Sequence, residues 1–290
     1  MNNFLIKVLK KVNAFKFFNF SISRKFGGKK FVIPVSDNIG YSNLSTSEPW
    51  MLDVLKVVLP IKNGHFIDVG VNTGQTLLKL KSVAPKVNYI GFEPNPFCVN
   101  YVGNLIALNG FKNTIIVPVG ISDKTEIGEL NFIDDSKADS SASMIAEFRK
   151  NSIIKRHEYI PLFKVEDLNA SINLDNISVL KIDVEGAELE VLTSFKKHIL
   201  NCKPIILLEI LPVYPDNYSF MFDRQSNVLK LLSELDYSMF RVVKKKDMFA
   251  GFEAIFEIEN HTDLSKCDYV MVHKSKVADF KALSTQVFNV

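Results

Sequence analysis

A short turn that contains two glycines, Gly70-Val71-Asn72-Thr73-Gly74, follows the apolar stretch HFIDV and is the first candidate for ligand binding. Its spacing matches neither the Gly-x-Gly-x-x-Gly dinucleotide fingerprint nor the phosphate-binding loop that carries a lysine. Glycine lets the backbone approach a ligand closely, and Asn72 tolerates a left-handed conformation. A pyrophosphate prefers a helix N-terminus with a third, close-packed glycine. Because the turn contains no Lys or Arg, it is better suited to the zwitterionic end of an amino acid.

Glu93 ends the next apolar stretch, VNYIGFE, and follows the turn by roughly 20 residues. An acidic side chain at this place in an α/β sheet accepts hydrogen bonds from the hydroxyls of a ribose. The ligand is therefore predicted to contain a nucleoside. S-adenosylmethionine combines an adenosine with an amino-acid tail, so we expect it as the cofactor. A nicotinamide cofactor would use Glu93 in the same way and is the alternative, although the missing third glycine disfavours it.

Other polar side chains follow the remaining predicted strands. In open α/β sheets, ligands bind beyond the carboxyl ends of the strands, so these positions together form one candidate site. The first strand ends with Asp68, the third with Ser122 and Asp123, and the fifth with Glu209. The fourth ends in Asp183-Val184-Glu185-Gly186, which places two carboxylates close together.

Alternating periodicities predict the elements that carry these residues. SEPWMLDVLKVVL is typical of a helix with Ser47 as its cap and Pro49 in its first turn. Beyond it, short apolar runs alternate with helical patterns and predict a doubly wound, mostly parallel sheet covered on both faces. NTIIVPVGISD is predicted as one strand, and three late strands predict an antiparallel edge. The polar segment 124–160 contains a predicted hairpin strand, EIGELNFI, and is expected to shape the substrate pocket.

The N-terminus differs in charge from the rest of the chain. Residues 1–36 contain eight basic side chains and no acidic one, whereas the other 27 basic residues face 32 acidic ones, a net charge of −5. We therefore predict a basic, helical N-terminal extension over residues 1–46 and one domain over 47–290. Residues 1–30 could contact an anionic membrane through the apolar face of a basic helix, and packing of this face on the protein itself is the alternative. Lysines interrupt every apolar run, so neither a transmembrane span nor a secretory signal is expected.

Composition also limits the compartment and the substrate. The three cysteines, Cys98, Cys202 and Cys267, show no metal-ligand or redox spacing and indicate a reducing compartment. We expect a cytoplasmic protein, with contact at the inner face of the membrane left open. Nucleic acid is not expected as a partner, because the main domain is acidic. Methylation of the amino group of a nucleic-acid base normally uses an Asp- or Asn-Pro-Pro-aromatic motif after the fourth strand, and this chain has DVEG there. Methylation of a cytosine carbon needs a nucleophilic cysteine, commonly next to a proline, and no cysteine here precedes a proline.

Five blocks of the sequence together resemble the FkbM-type methyltransferases: FIDVGVNTG, GFEPNP, VGISDKTEIGELNF, LKIDVEGAELEVL and PIILLEI. The resemblance covers residues 47–275, and KIDVEGAE is its most specific block. The family usually has Ala at the position of Val71 and often Ile at that of Thr73, and neither difference removes a polar contact. The resemblance implies a class I S-adenosylmethionine-dependent fold. It also implies methyl transfer, commonly to a hydroxyl of a sugar or other natural product.

The resemblance also implies roles for the candidate residues. Gly70 and Gly74 would hold the methionine part of the cofactor. Its amino group would lie near Asp68 and Asn72, and Glu93 would bind the ribose. The other residues expected around the cofactor are Asn95, Ser122 and Asp123 near the adenine, and Glu48 and Trp50 over the pocket. For Trp50, a place in the core is the alternative.

A hydroxyl acceptor must lose a proton, which a carboxylate at the same sheet edge could accept. We favour Asp183 as this base, with Glu185 as its partner or as a group that orients the acceptor, and Glu209 as a third candidate. Paired carboxylates could also hold a divalent cation that lowers the pKa of the hydroxyl. Histidine and cysteine show no metal-binding pattern. Three other functions remain open: N-methylation of a small molecule, nicotinamide-dependent oxidation or reduction, and a non-catalytic module docked on a membrane-bound assembly.

Overall fold

The computed structural model of the 290-residue chain describes residues 19–45, 47–145, 153–168, 171–213, 218–259 and 261–287. Residues 1–18, which form most of the predicted amphipathic helix and part of the segment expected to contact a membrane, lie outside the described residues. Within the described part, no helix has both the length and the apolar character that a membrane crossing requires.

The described residues form strands and α-helices that alternate through the middle of the chain. The strands are β1 (Phe20–Phe26), β2 (Lys29–Val35), β3 (His65–Val69), β4 (Tyr89–Phe92), β5 (Thr114–Val117), β6 (Gly120–Ile121), β7 (Glu126–Phe132), β8 (Arg156–Phe163), β9 (Ile177–Ile182), β10 (Ile205–Glu209), β11 (Tyr237–Lys245), β12 (Met248–Ile255) and β13 (Asp268–His273). The helices are α1 (Trp50–Val58), α2 (Gln75–Val83), α3 (Pro96–Asn109), α4 (Val165–Leu168), α5 (Glu188–Cys202), α6 (Tyr218–Glu234) and α7 (Val277–Val287). Single 3-10 turns cover Ser42–Leu44, Leu59–Ile61, Leu264–Lys266 and Lys274–Lys276.

Eight strands form a central sheet in the order β12-β11-β13-β10-β9-β3-β4-β5. The five strands from β10 to β5 run parallel, and β13, β11 and β12 extend the sheet in antiparallel fashion at one edge. The predicted mostly parallel α/β sheet with an antiparallel edge is confirmed. The chain proceeds from β3 to β4 on one side and returns as β9 on the other, so the strand order reverses between β3 and β9. Ligands bind outside the carboxyl ends of the strands at such a reversal.

Apolar side chains cover both faces of this sheet, as the alternating pattern predicts. One face packs against α1, α2 and α3, where Val54, Leu77 and Val102 are fully buried. The other face packs against α5 and α6 through Phe195 and Val228. The two cores hold the strand ends rigidly and so position the side chains that follow them.

The third predicted strand is divided at Pro118, so the prediction of one continuous strand is wrong. β5 belongs to the central sheet, whereas β6 joins a separate three-stranded sheet in the order β6-β8-β7. Proline has no N–H to donate in a strand ladder, and the next N–H, that of Val119, bonds to the Val117 carbonyl at 2.9 Å in a tight turn. The hairpin strand predicted in the inserted segment is confirmed as β7, which pairs with β8.

Residues 20–35, within the predicted N-terminal extension, form an antiparallel hairpin of β1 and β2 rather than a helix. Phe26 and Ile33 of this hairpin are buried in the core. The side-chain amide of Asn109 accepts a hydrogen bond from Val32 N at 2.7 Å and donates one to Val32 O at 2.8 Å. The hairpin therefore packs on the main domain, and the boundary between residues 46 and 47 stays a prediction.

The start of α1 also differs from the prediction. The helix begins at Trp50 with Pro49 as its N-cap, and no side chain caps it. Instead, the Ser47 hydroxyl donates a hydrogen bond to the side chain of Gln75. Trp50 is buried in the core, and the Lys244 ammonium lies 4.6 Å from the centre of its ring. Trp50 thus has the core position that was the alternative to a place over the pocket.

Candidate active site

A cavity of about 680 Å³ opens beyond the carboxyl ends of β3, β4, β9 and β10. Its volume lies within the range of roughly 300 to 1,000 Å³ that is usual for small-molecule sites. The fold therefore brings residues from distant parts of the sequence to one place. The predicted site residues that line the cavity are Glu48, Gly70, Asn72, Glu93, Asn95, Asp183, Glu185 and Glu209.

The turn after β3 is shaped by its glycines. Gly70 has a φ of 90°, and a Cβ at this position would lie only 1.8 Å from the Asp183 carbonyl oxygen. Only glycine lets this turn pack so closely against the residues that follow β9. Asn72 also has a left-handed φ of 48°, and Gly74, at 76°, is the N-cap of α2. The predicted left-handed conformation of Asn72 is confirmed, and the binding of a ligand by this turn stays a prediction.

Glu93 holds the turn from the end of β4. One carboxylate oxygen accepts a hydrogen bond from Asn72 N at 2.6 Å, and the other accepts one from Asn95 N at 2.8 Å. The residue is 6% exposed. Burial raises the pKa of Glu93 to about 7, although the hydrogen bonds from Asn95 and Asn72 oppose the shift. Each carboxylate oxygen has a further lone pair, so Glu93 can still accept hydrogen bonds from the hydroxyls of a ligand.

A loop from the inserted segment crosses the cavity, and we call residues 133–145 the lid loop. Asn95 donates a hydrogen bond to Lys137 O at 2.8 Å, and the Ser143 hydroxyl donates one to Glu185 O at 2.6 Å. Inside the loop, the Asp139 carboxylate accepts four hydrogen bonds, from the backbone of residues 133, 134 and 141 and from the Ser141 hydroxyl. The lid loop is therefore attached to both sides of the cavity, as expected for a segment that shapes a pocket.

Charged and hydrogen-bonding side chains form a continuous network at the carboxyl edge of the sheet. The Tyr89 hydroxyl donates a hydrogen bond to Asp68 at 2.6 Å. The ammonium of Lys181 lies 3.4 Å from Asp68 and 3.0 Å from Asp183. Asp183 in turn interacts with Glu209 at the end of the neighbouring strand. This network of side chains connects β4, β3, β9 and β10 at the floor of the cavity.

The ionisation states of the side chains in this network follow from burial and from neighbouring charges. Burial alone would lower the pKa of Lys181, but Asp183 and Asp68 raise it above its usual range. Burial and the charge of Asp183 raise the pKa of Glu209 far above its usual range. Burial also opposes the charge on Asp183, but Lys181 and a hydrogen bond with Glu209 hold the pKa of Asp183 below its usual value. At neutral pH the pair therefore shares one proton, with Asp183 ionised and Glu209 protonated.

Glu48 reaches the cavity from the segment before α1. Its carboxylate lies 2.6 Å from the ammonium of Lys79, whose side chain is only 1% exposed. Burial lowers the pKa of Lys79, and the ion pair with Glu48 opposes this shift. Glu48 has a left-handed φ of 47°. The ion pair thus anchors a strained residue in the cavity wall.

Four residues predicted to contact the cofactor do not line this cavity. Asp68 is fully buried below it and binds Tyr89 and Lys181 instead, and Gly74 packs against the side chains of Val102 and Leu105. The polypeptide leaves the central sheet at Pro118 and joins the small sheet, so Ser122 and Asp123 follow the small sheet and do not line the cavity. Ser122 N bonds to Phe163 O, next to this small sheet. The predicted contacts of Asp68, Ser122 and Asp123 with a ligand therefore have no counterpart in this cavity. The residues from the third strand region that do line it are Val119, Gly120 and Ile121.

Sequence reasoning missed Lys181 and residues 38–42, which also line the cavity. Lys181 precedes Asp183 by two residues on a strand, so the period of two places both on one face and could have revealed the pair. Residues 38–42 carry no motif and could not have been found. Asn43 fixes this segment because its amide donates hydrogen bonds to Thr73 O at 2.6 Å and to the Tyr101 hydroxyl at 3.2 Å. Among the described residues, no group of three or more His, Cys, Asp or Glu side chains is arranged to hold a metal ion.

Comparison with known proteins finds several methyltransferases that are similar to the chain. It is similar to methyltransferase sdnD of Sordaria araneosa, with 26% identity over 160 residues, which are 45% of this chain and 60% of that protein. A similar solved structure is methyltransferase FkbM of Methylobacillus flagellatus, at 15% identity and a TM-score of 0.45, over 73% of this chain and 44% of that one. Another is fibrillarin of Aeropyrum pernix with bound S-adenosylmethionine, at 10% identity and a TM-score of 0.43, over 87% of this chain and 81% of that one. The chain spans less than two thirds of sdnD and of the Methylobacillus protein.

A sequence model of the FkbM methyltransferase domain matches residues 68–239. The match begins at Asp68 in β3, includes Glu93, Asp183 and Glu209, and ends in β11. It therefore spans the strands that build the cavity and covers more than half of the 290 residues. The predicted resemblance is confirmed, and the chain belongs to the FkbM methyltransferase domain family.

Proposed function

We propose that this protein is an S-adenosylmethionine-dependent methyltransferase that methylates a hydroxyl group of a sugar, glycan or other natural-product intermediate. The observation that supports this most directly is that one cavity contains Glu93, an acceptor for ribose hydroxyls, and the ionised Asp183, an acceptor for a hydroxyl proton. Membership of the FkbM family supports methyl transfer in general. The hydroxyl acceptor is the more specific part of the proposal.

The polar groups of the cavity suit S-adenosylmethionine better than a dinucleotide. Glu93 can accept hydrogen bonds from the ribose, and the backbone of residues 70–73 lines the adjoining wall. Among the described lining residues, Lys181 is the only Lys or Arg, and it is already paired with two carboxylates. A pyrophosphate would therefore lack a cationic side chain here, and the turn also lacks the third glycine of the dinucleotide fingerprint, so a nicotinamide cofactor fits this cavity less well. When bound, S-adenosylmethionine supplies a methyl group attached to a positively charged sulfur, which leaves readily as a neutral thioether.

The protein's contribution is to position the acceptor and to receive its proton. Asp183 accepts the hydroxyl proton, and its ionised state makes it ready to do so at neutral pH. Lys181 keeps Asp183 charged, and the protonated Glu209 stabilises that charge by a hydrogen bond. Glu185 lines the same wall and is proposed to orient the acceptor. The lid loop lines the cavity, and we propose that it excludes water when substrate is bound, which would strengthen these interactions.

Replacement of Asp183 tests this assignment. Asp183→Asn is expected to leave S-adenosylmethionine affinity nearly unchanged and to reduce turnover by about 100-fold or more, the usual scale for loss of a general base. Glu185→Gln is the matched control, because it removes a neighbouring carboxylate without removing the base and should reduce turnover less. Turnover is measured with labelled S-adenosylmethionine and cell extracts as the source of acceptor.

The position of the transferred methyl group decides between hydroxyl and other acceptors. Mass spectrometry and NMR of the labelled product are expected to show a methyl ether. A methyl group on nitrogen would instead support the N-methyltransferase alternative, and a methyl group on carbon would also contradict the role given to Asp183.

We also propose peripheral contact with anionic membranes through the basic N-terminal region of a cytoplasmic protein. Lys25, Lys29 and Lys30 are exposed on the hairpin that continues this region. Exposed lysines near a membrane are attracted to anionic lipids.

The cysteines Cys98, Cys202 and Cys267 are all unpaired thiols, which supports a reducing compartment.

A further inference from the structure

The loop between β9 and α5 carries the two carboxylates that the proposed reaction uses, and its backbone is strained. We call residues 183–186 the carboxylate loop. Glu185 has a left-handed φ of 50°, which is uncommon for a residue other than glycine and persists only where the surrounding structure holds it. The contacts of this loop therefore decide where the Glu185 side chain lies. The inference rests on the proposed function, because it takes Glu185 to orient the acceptor.

The first residue of the carboxylate loop is held by the end of β3. Asp183 N donates a hydrogen bond to Val69 O at 3.1 Å. Gly70 packs directly against the Asp183 carbonyl group. The position of Asp183 therefore depends on β3, and it is fixed separately from the rest of the loop.

The far end of the carboxylate loop is held by Arg224 of α6. The Nε and Nη2 groups of Arg224 both donate hydrogen bonds to Gly186 O, at 3.1 and 2.7 Å. Nη2 also forms an ion pair with the Glu190 carboxylate in α5. Between the two ends of the loop, the Ser143 hydroxyl donates a hydrogen bond to Glu185 O at 2.6 Å. Glu185 thus lies between one contact from the lid loop and one contact from α6.

The guanidinium group is well suited to this position. It presents five N–H donors in a fixed plane, whereas the ammonium of lysine is a compact charge on a flexible chain. Two donors on one carbonyl restrict both the distance and the direction of Gly186 O, and Gly186 is buried. Arg224 is 19% exposed and does not line the active-site cavity. Its effect on an acceptor must therefore pass through the carboxylate loop.

We infer that Arg224 is a positioning residue for Glu185, so that α6 helps to determine how the acceptor is held. The two hydrogen bonds to Gly186 O keep Glu185 in its left-handed conformation, with its side chain at the cavity wall. A lysine in place of Arg224 would keep a positive charge near Glu190 but would lose this pair of bonds. The loop would then relax toward an unstrained conformation, and Glu185 would leave its place.

Hydrogen exchange of the full-length protein tests the position of the loop without any acceptor. Arg224→Lys removes the paired hydrogen bonds, and Glu190→Gln is the matched control because it removes only the ion pair between α5 and α6. Amides of the carboxylate loop, followed by mass spectrometry, are expected to exchange at least about tenfold faster in Arg224→Lys than in the wild type. In Glu190→Gln they should stay within about twofold of the wild type.

Equal exchange in Arg224→Lys and in the wild type overturns the inference, and so does an equal acceleration in Glu190→Gln. If Arg224→Lys does not fold, Arg224→Gln takes its place, because glutamine keeps an amide donor without the planar pair of N–H groups.

Turnover shows whether the position of Glu185 affects the acceptor. Rates are measured with labelled S-adenosylmethionine and increasing amounts of the cell extract that supplies the acceptor. Arg224→Lys is expected to need about tenfold more extract for its half-maximal rate, with an unchanged affinity for S-adenosylmethionine. In a Glu185→Ala protein, which lacks the side chain to be positioned, Arg224→Lys should change this amount by less than about twofold.

An equal effect of Arg224→Lys with and without the Glu185 side chain refutes the inference, as does no effect in either protein. Absence of methyl transfer by the wild type with any extract counts against the proposed function instead, and hydrogen exchange then decides on Arg224 alone.

Discussion

Replacement of Glu93 by glutamine is the most direct test of cofactor binding. In the free protein, each carboxylate oxygen of Glu93 accepts one backbone hydrogen bond, from Asn72 at 2.6 Å or from Asn95 at 2.8 Å. Two ribose hydroxyls would add two charge-assisted bonds. A hydrogen bond to a charged group contributes about 1.5 to 3 kcal/mol and a neutral one about 0.5 to 1.5. Glu93→Gln should therefore weaken S-adenosylmethionine binding by about 2 kcal/mol, or about 30-fold.

The pH dependence of binding is a second signature of the same residue. Burial raises the pKa of Glu93 to about 7, and ribose hydroxyls bind more strongly to the ionised form. Below this pH, binding must first remove a proton from Glu93. The affinity of the wild type should therefore fall as the pH decreases from 7 to 5, by at most about tenfold per unit. Glutamine does not titrate, so this dependence should disappear in Glu93→Gln.

Both effects can be measured by calorimetric titration of the free protein with S-adenosylmethionine between pH 5 and pH 8. Circular dichroism and thermal melting of the variant establish that its fold is intact. The assignment of Glu93 to the ribose is wrong if a folded Glu93→Gln protein binds the cofactor as tightly as the wild type does. It is also wrong if the variant keeps the pH dependence of the wild type.

The remaining predictions concern stability, the lid loop and the N-terminus. Without ligand, the pKa of Glu93 is about 7 in the folded state and 4.5 in the unfolded state, so protonation of Glu93 favours the folded state between these two pH values. As the pH rises from 5 to 8, the wild type should therefore lose stability relative to Glu93→Gln, by at most about 3 kcal/mol in urea titrations. A constant difference would contradict the raised pKa. Asp139→Ala removes the acceptor of four hydrogen bonds in the lid loop and should weaken acceptor binding by more than tenfold, with little effect on cofactor affinity; equal effects in the two titrations would refute an acceptor role for the loop. Deletion of residues 1–18, with the hairpin retained, should preserve the melting temperature and cofactor binding but reduce sedimentation with phosphatidylserine vesicles, and unchanged sedimentation would oppose membrane contact through this segment.

Local patterns in the sequence were sufficient to predict the central sheet. Apolar runs and helical periodicity can be recognised from residues that are close together in the sequence. A strand of a parallel sheet that is buried on both faces needs a nearly continuous apolar run, whatever the rest of the fold is. The ends of the parallel strands could therefore be located, and with them Glu93, Asp183 and Glu209. The rule that ligands bind at the carboxyl edge was enough to group these residues before their distances were known.

The prediction was wrong where a single residue changed the path of the chain. Pro118 interrupts the third strand, so Ser122 and Asp123 follow the small sheet rather than the central one. Ser47 has the side chain of a typical helix cap, but its hydroxyl binds Gln75 and the helix begins later, at Trp50. In both cases, the local preference allowed more than one outcome, and long-range contacts selected one.

The sequence by itself determined the class of fold, the family and the carboxylates at the strand ends, because these depend on residue type and short spacing. Only the tertiary structure decided which of these residues face the cavity and which lie below it. Asp68 and Asp183 both end parallel strands, yet Asp68 is fully buried and Asp183 lines the cavity. Lys181 lies between them, and its charge sets the ionisation of Asp183. Such a state depends on distance and on burial, which are properties of the folded chain and not of its local sequence.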